Sequence, residues 1–162
     1  MGFFGEMFED ITGKSERPEI KGGRFESFVS EEIFNDILFD LIEMTRDFHS
    51  NSERFEERSV NPDFRFRDKR TGEEFWIEAK YRNGLFKNEK GQDVCEICKP
   101  WQLTRYKEVE KSTGKKVYIC LGIGDDPLFP KTVHLIPVVN AYPQLFQNRL
   151  KETLIWTNPE IK

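Results

Sequence analysis

Cysteine, histidine and long apolar runs are all scarce in this chain of 162 residues, and each scarcity removes a class of protein. Three cysteines, Cys95, Cys98 and Cys120, form an odd and sparse set with no disulfide framework in it, so a reduced, cytoplasmic setting is the economical expectation. Cys95 and Cys98 make a lone Cys-x-x-Cys pair, whereas structural zinc takes four ligands; His49 and His134 complete no such set by spacing. No stretch approaches the ~18 apolar residues of a membrane span, and none resembles a secretory signal. Met1-Gly2 is followed by Glu6 where myristoylation wants Ser or Thr. Positive charge is short as well, with 25 Lys+Arg against 29 Asp+Glu and a net charge of −4. A polycation that coats nucleic acid by charge alone is excluded.

What is abundant is phenylalanine, 15 residues within a 14% aromatic content, which is material for a real core. The acids are also concentrated. Residues 1–60 carry fifteen acids and seven bases, whereas 61–162 carry fourteen acids and eighteen bases, so the second part is net positive. Six bases (Lys99, Arg105, Lys107, Lys111, Lys115 and Lys116) lie between Lys99 and Lys116 against only Glu108 and Glu110. Such a run reads either as a solvated helix with i,i+4 pairs or as a phosphate-facing patch, and charge alone does not choose.

The length suits one domain. Residues 1–22 read as an N-terminal arm, 23–140 as the main domain, and 141–162 as an extension packing on it. Phe25, Val29, Ile33, Ile37 and Leu41 recur every four residues and predict a helix from about Arg24 to Thr45. One strand is expected somewhere in 47–60. Asp63 to Arg67 alternates with period two, Thr71-Gly72 is a turn, and Phe75 to Tyr81 reads as a strand pairing back in a hairpin. Asn83 to Lys99 reads as a long polar loop. A helix is expected from Pro100 to about Thr113 with Gly114 just past its end. Strands follow at Lys116–Gly122 and Thr132–Pro137, a turn at Gly122-Ile123-Gly124-Asp125, and a short helix near Gln144–Leu150. The order α-β-β-β-α-β is that of an α/β fold, a central mixed sheet flanked by helices.

The hairpin holds the most informative polar residues. Glu78 and Lys80 share one face of their strand, about 7 Å apart, and Asp63 opens the partner strand. If the hairpin sets Asp63 level with Glu78, two carboxylates and an ammonium converge among apolar neighbours. Carboxylates that close repel unless a cation sits with them, and Mg²⁺ favours carboxylate oxygens and water. Such an ion activates water for attack on a phosphoryl group, with the lysine orienting it or offsetting the developing charge.

Pro62-Asp63 followed by Glu78-Ala79-Lys80 resembles the PD-(D/E)xK motif of the restriction-endonuclease-like nucleases. The resemblance covers about Gly23 to Gly122. It implies a restriction-endonuclease-like core and a Mg²⁺- or Mn²⁺-dependent endonuclease that hydrolyses phosphodiester bonds, acting on DNA rather than RNA and possible as a homodimer. It implies that Asp63 and Glu78 bind the metal with the Ala79 carbonyl, and that Lys80 positions the attacking water. Glu26, on the first helix, would be a second-shell group or a second metal ligand. Gln102 would hold Lys80 or a phosphate oxygen. Arg82, Arg105 and Lys107 are the candidates for contact with the nucleic-acid backbone, with surface salt-bridging the alternative for the arginines. The fold also has inactive members, so a non-catalytic nucleic-acid- or protein-binding module is the alternative function.

Overall fold

The computed structural model describes residues 18–45 and 61–160. Helix α1 (Pro18–Phe28) runs into a π-helical turn (Val29–Ile33), and strand β1 (Phe39–Met44) follows. Strands β2 (Phe64–Asp68) and β3 (Glu74–Arg82) form the central hairpin. Two short strands, β4 (Phe86–Lys87) and β5 (Asp93–Glu96), precede helix α2 (Pro100–Thr113), and β6 (Lys116–Asp126) and β7 (Phe129–Pro137) complete the core. The tail supplies β8 (Gln144–Phe146), α3 (Gln147–Lys151) and β9 (Leu154–Thr157).

The main sheet has the order β1-β2-β3-β6-β7-β9, and a small second sheet has the order β4-β5-β8. All neighbours in the main sheet are antiparallel except β3 and β6, which run parallel with α2 as the crossover. One face is covered by α1 and is built largely of rings: Phe25, Phe28, Phe34, Phe64 and Phe66 are all buried there. Phe34 stacks on Phe66 with centroids 5.0 Å apart. The other face packs Trp76, Val117, Ile119 and Leu121 against Leu103, Tyr106 and Val109 of α2. Among the described residues no helix is long and apolar enough to cross a membrane.

Helix α2 ends as the sequence requires, with Gly114 in the left-handed region at φ 71° and its N–H on the Glu110 carbonyl. The first helix does not follow its expected span. It begins at Pro18, runs through Gly22-Gly23, and gives way after Ile33, so Phe39–Met44 is a strand and not helix. Asn35 is the physical reason: its side-chain oxygen accepts the Ile37 N–H and its carbonyl the Phe39 N–H, a local turn that competes with helix. Ile37, a member of the supposed apolar stripe, is 78% exposed. Strand β1 is tied instead to β2, with Asp40 on Arg67 at 3.1 Å and Glu43 on Arg65 at 3.2 Å. The strand expected within 47–60 lies outside the described residues.

The supposed polar loop 83–99 also differs, because it carries β4 and β5 and buries Val94, Cys95, Ile97 and Cys98. Its partner strand β8 lies some fifty residues downstream, a pairing that no local pattern announces. The Gly122–Asp125 segment is the end of β6, and the turn falls at Pro127-Leu128. The tail from residue 141 is woven in, since β9 is the edge strand beside β7.

Gly122 marks the closest approach of α1 to the sheet. A Cβ there would stand 2.7 Å from Cζ and 2.9 Å from Cδ1 of the fully buried Phe25 ring. Gly122→Ala therefore overpacks the interface, and we expect a loss of about 1–3 kcal/mol in chemical denaturation. An unchanged midpoint would show that α1 seats less tightly than this.

Candidate active site

The hairpin register places Phe64 opposite Ile77 and ends there, while β3 continues to Arg82. By that register the residue opposite Ala79 is Pro62, which has no N–H to donate. The ladder between β2 and β3 thus stops where the strands would next exchange hydrogen bonds. Side chains take over. Asp63 Oδ2 accepts the Ala79 N–H at 2.9 Å, and Glu78 Oε1 accepts the Asp63 N–H at 3.2 Å. A strand residue presents its N–H and C=O to the same side, so the Ala79 carbonyl also faces this gap, with no proline N–H to pair it.

Two further groups fix Glu78. The Tyr106 hydroxyl donates to Glu78 Oε2 at 2.9 Å, and the Lys80 ammonium lies 3.5 Å from the same oxygen. The side chains of Glu78 and Lys80 are each only 15% exposed. Burial holds Asp63 well above the usual carboxylate range, and the charges of Glu78 and then Glu26 push the same way. The Ala79 N–H and Lys80 oppose that shift. Burial and the neighbouring Glu78 likewise raise the Tyr106 phenol far above its ordinary value, so it stays protonated and donates.

The structure brings together Asp63, Glu78, Ala79 and Lys80, and sets Glu26 near enough for its charge to act on Asp63. It does not bring in Gln102 as expected. The Gln102 side-chain oxygen accepts the Lys99 N–H at 2.9 Å and caps α2, so it is spent on the helix end instead of on Lys80. Tyr106, one turn further on, makes the contact with the site. Its signal was the four-residue spacing from Gln102, which puts both on one helix face.

The three basic candidates part company. Arg82 is a clamp: Nε donates to the Glu96 carbonyl at 2.7 Å, one terminal nitrogen to the Tyr81 carbonyl at 3.0 Å and the other to Ile97 at 2.9 Å. Three of its five N–H donors are spent on backbone carbonyls, two of them on the β5 segment. Arg105 lies over the Trp101 ring at 5.5 Å. Lys107 is exposed and, two residues on, sits about 160° round the helix from Arg105. Of the discounted signals, His134 is buried and hydrogen-bonded to Leu150 and Thr132, as an ordinary core histidine is.

Among the described residues no three of His, Cys, Asp and Glu converge closely enough to hold an ion by themselves. The donor set still fits Mg²⁺, which keeps several waters and takes one or two carboxylates from the protein. Asp63 and Glu78 offer hard oxygens, the Ala79 carbonyl a third, and the negative charge gathered around Asp63 is what a divalent cation would offset.

The chain has the restriction-endonuclease-like fold that its Pro-Asp and Glu-x-Lys pattern implied. Among solved structures it is similar to Hjc, a Holliday junction resolvase from Archaeoglobus fulgidus, with a TM-score of 0.54 over 83% of this chain and 90% of that one. Sequence identity is 15%, so the likeness is one of fold. No family model matches the sequence. No curated protein matches it either.

Two outcomes follow from the geometry. A native carboxyl with a raised pKa keeps a proton that the unfolded chain releases, so its stabilisation is complete below the unfolded value of 3.8 and is lost as pH rises through the folded value. Asp63→Asn should therefore raise the melting temperature of metal-free protein at pH 7.5 by a few degrees, at about 2–4 °C per kcal/mol, with little change at pH 4. The same gain at both pH values would contradict the charge argument. Tyr106→Phe keeps the packed ring but removes the hydroxyl from Glu78 Oε2, leaving that oxygen only its 3.5 Å contact with Lys80, and thermal unfolding should show about 1–3 kcal/mol lost; a neutral substitution would deny Tyr106 its positioning role.

Proposed function

We propose that this protein is a metal-dependent nuclease, hydrolysing DNA phosphodiester bonds with Mg²⁺ or Mn²⁺ at the Asp63–Glu78 site. The observation that carries the reading is the reciprocal locking of Asp63 and Glu78 at the end of the β2–β3 ladder, with Lys80 beside them. A structural ion pair needs one acid and one base; here two acids are pressed together and a third, Glu26, is near. The fold likeness to a resolvase points the same way.

The roles follow from position. Asp63, Glu78 and the Ala79 carbonyl would hold the ion, with Glu26 acting through water or a second ion. When bound, the ion supplies Lewis acidity to the phosphoryl oxygen and lowers the pKa of its water. Tyr106 and the Asp63 N–H keep Glu78 in one orientation, so little reorganisation accompanies binding. Lys80, held on the Glu78 side of the gap, aligns the attacking water and offsets negative charge growing on the phosphate. Cleavage of both strands of a duplex would pair two such sites in a homodimer, and the reducing cytoplasm suits three free buried thiols.

Wild type and Lys80→Ala should be incubated with Mg²⁺ and linear, plasmid, single-stranded and branched DNA. We expect wild-type cleavage of at least one form, and a loss of about 10²-fold or more in the variant. No cleavage of any form, together with no heat on titrating Mn²⁺, would leave only a binding module on the same fold.

A further inference from the structure

Of the three tryptophans, two are structural. Trp76 is buried beneath α2, and Trp156 sits edge-on to Phe28 with centroids 5.1 Å apart. Trp101 is different: on the first turn of α2 it is 51% exposed. One of its faces carries the Arg105 guanidinium. Arg105 makes no ion pair or hydrogen bond among the described residues, and its Nε is buried without a hydrogen-bond partner. An exposed indole and an uncompensated cation thus form one unit, four residues apart on one stripe of the helix.

That stripe lies beside the catalytic one. Tyr106, which touches Glu78, directly follows Arg105, and Gln102 directly follows Trp101, so the two stripes are about 100° apart on the helix. The crossover from β3 through α2 to β6 is parallel, and such units are right-handed in nearly all cases. In that hand, the Trp101–Arg105 flank is turned towards the β2 side of β3, the side on which Asp63 pairs with Glu78. Lys107 falls on the opposite flank. Trp101 precedes Tyr106, the residue that touches Glu78, by five residues, about 7–8 Å along the helix axis.

We propose that Trp101 and Arg105 form a nucleotide platform that receives an unpaired base and its phosphate next to the scissile bond, so that the preferred substrate carries single-stranded nucleotides at the cleavage point. The open indole face stacks on any base, whichever its sequence, while Arg105 behind the ring supplies positive charge to the backbone. A base within an intact duplex has both faces covered by its neighbours and cannot use the platform. The proposal rests on the nuclease reading above and narrows its substrate.

The test is binding by fluorescence anisotropy in EDTA, where no cleavage occurs, followed by cleavage in Mg²⁺. The probes are a labelled 20-nucleotide single strand, a blunt duplex of the same sequence, and that duplex with a single-stranded 3′ extension. Trp101→Ala should weaken the single strand and the extended duplex by about tenfold, with blunt-duplex affinity changing less than twofold. Trp101→Phe should restore most of the loss, and unchanged melting temperatures would show both variants folded. Arg105→Ala should flatten the salt dependence for the single strand by about 0.7, the value of one phosphate contact. Equal losses on all three probes, or none, overturn the platform. If wild type cleaves DNA while Trp101→Ala is indistinguishable from it, the platform alone fails. If wild type neither binds nor cleaves any of these probes, nor the plasmid and branched forms above, the nuclease reading fails with it.

Discussion

The site depends on a proline that cannot donate a hydrogen bond. Strands β2 and β3 pair in register up to Phe64 and Ile77, and the next exchange would need an N–H from Pro62. Its lack of one leaves the Ala79 carbonyl without a ladder partner, while the Ala79 N–H goes to a side chain instead of to β2 backbone. Unpaired groups of that kind are costly when buried, so something polar must meet them. Asp63 meets the N–H with its carboxylate, and Glu78 returns a bond to the Asp63 N–H. The same interruption leaves the Ala79 carbonyl turned towards the two acids. A break in backbone pairing thereby sets the Asp63 and Glu78 carboxylates against each other, and on the metal reading proposed above the Ala79 carbonyl would be a third donor.

The rest of the molecule holds that point rigid from both faces. On one side α1 seats its Phe25 ring where Gly122 leaves room, and this close approach brings Glu26 up to Asp63. On the other side α2 is anchored by Leu103, Tyr106 and Val109, and only the tyrosine of the three carries a polar tip, which lands on Glu78. Arg82 ties the end of β3 to the β5 segment through the Glu96 and Ile97 carbonyls, with a further bond to Tyr81 within β3, which holds the outer end of the strand that bears Glu78 and Lys80. A carboxylate that must take a cation without rearranging gains from such fixation, because the ordering has been done by folding.

Much of this was legible in the residues. Period-two alternation placed β2 and β3, and with them the opposition of Asp63 and Glu78. Pro100 and Gly114 delimited α2 at both ends. What escaped notice depended on partners distant in the chain. Phe39–Met44 carries apolar residues at helical spacing, yet Asn35 turns the chain and β2 captures it as a strand through Asp40–Arg67 and Glu43–Arg65. The β5 segment reads as polar loop because its partner, β8, is in the tail. Within the site, Gln102 was expected to face the chemistry and caps its own helix, while Tyr106, which the pattern did not single out, is both packed in the core and bonded to Glu78. Arg82 and Arg105 are indistinguishable by residue type; only the structure separates a backbone clamp from a guanidinium resting on an indole.

The central claim is that the ladder's end is a divalent-metal site, and crystals grown with Mn²⁺ test it most directly through anomalous scattering. The account predicts one anomalous peak within coordination distance of Asp63, Glu78 and the Ala79 carbonyl, absent from Asp63→Asn crystals. Crystals of wild type in saturating Mn²⁺ that show no peak there, with Lys80 still paired to Glu78, would contradict it.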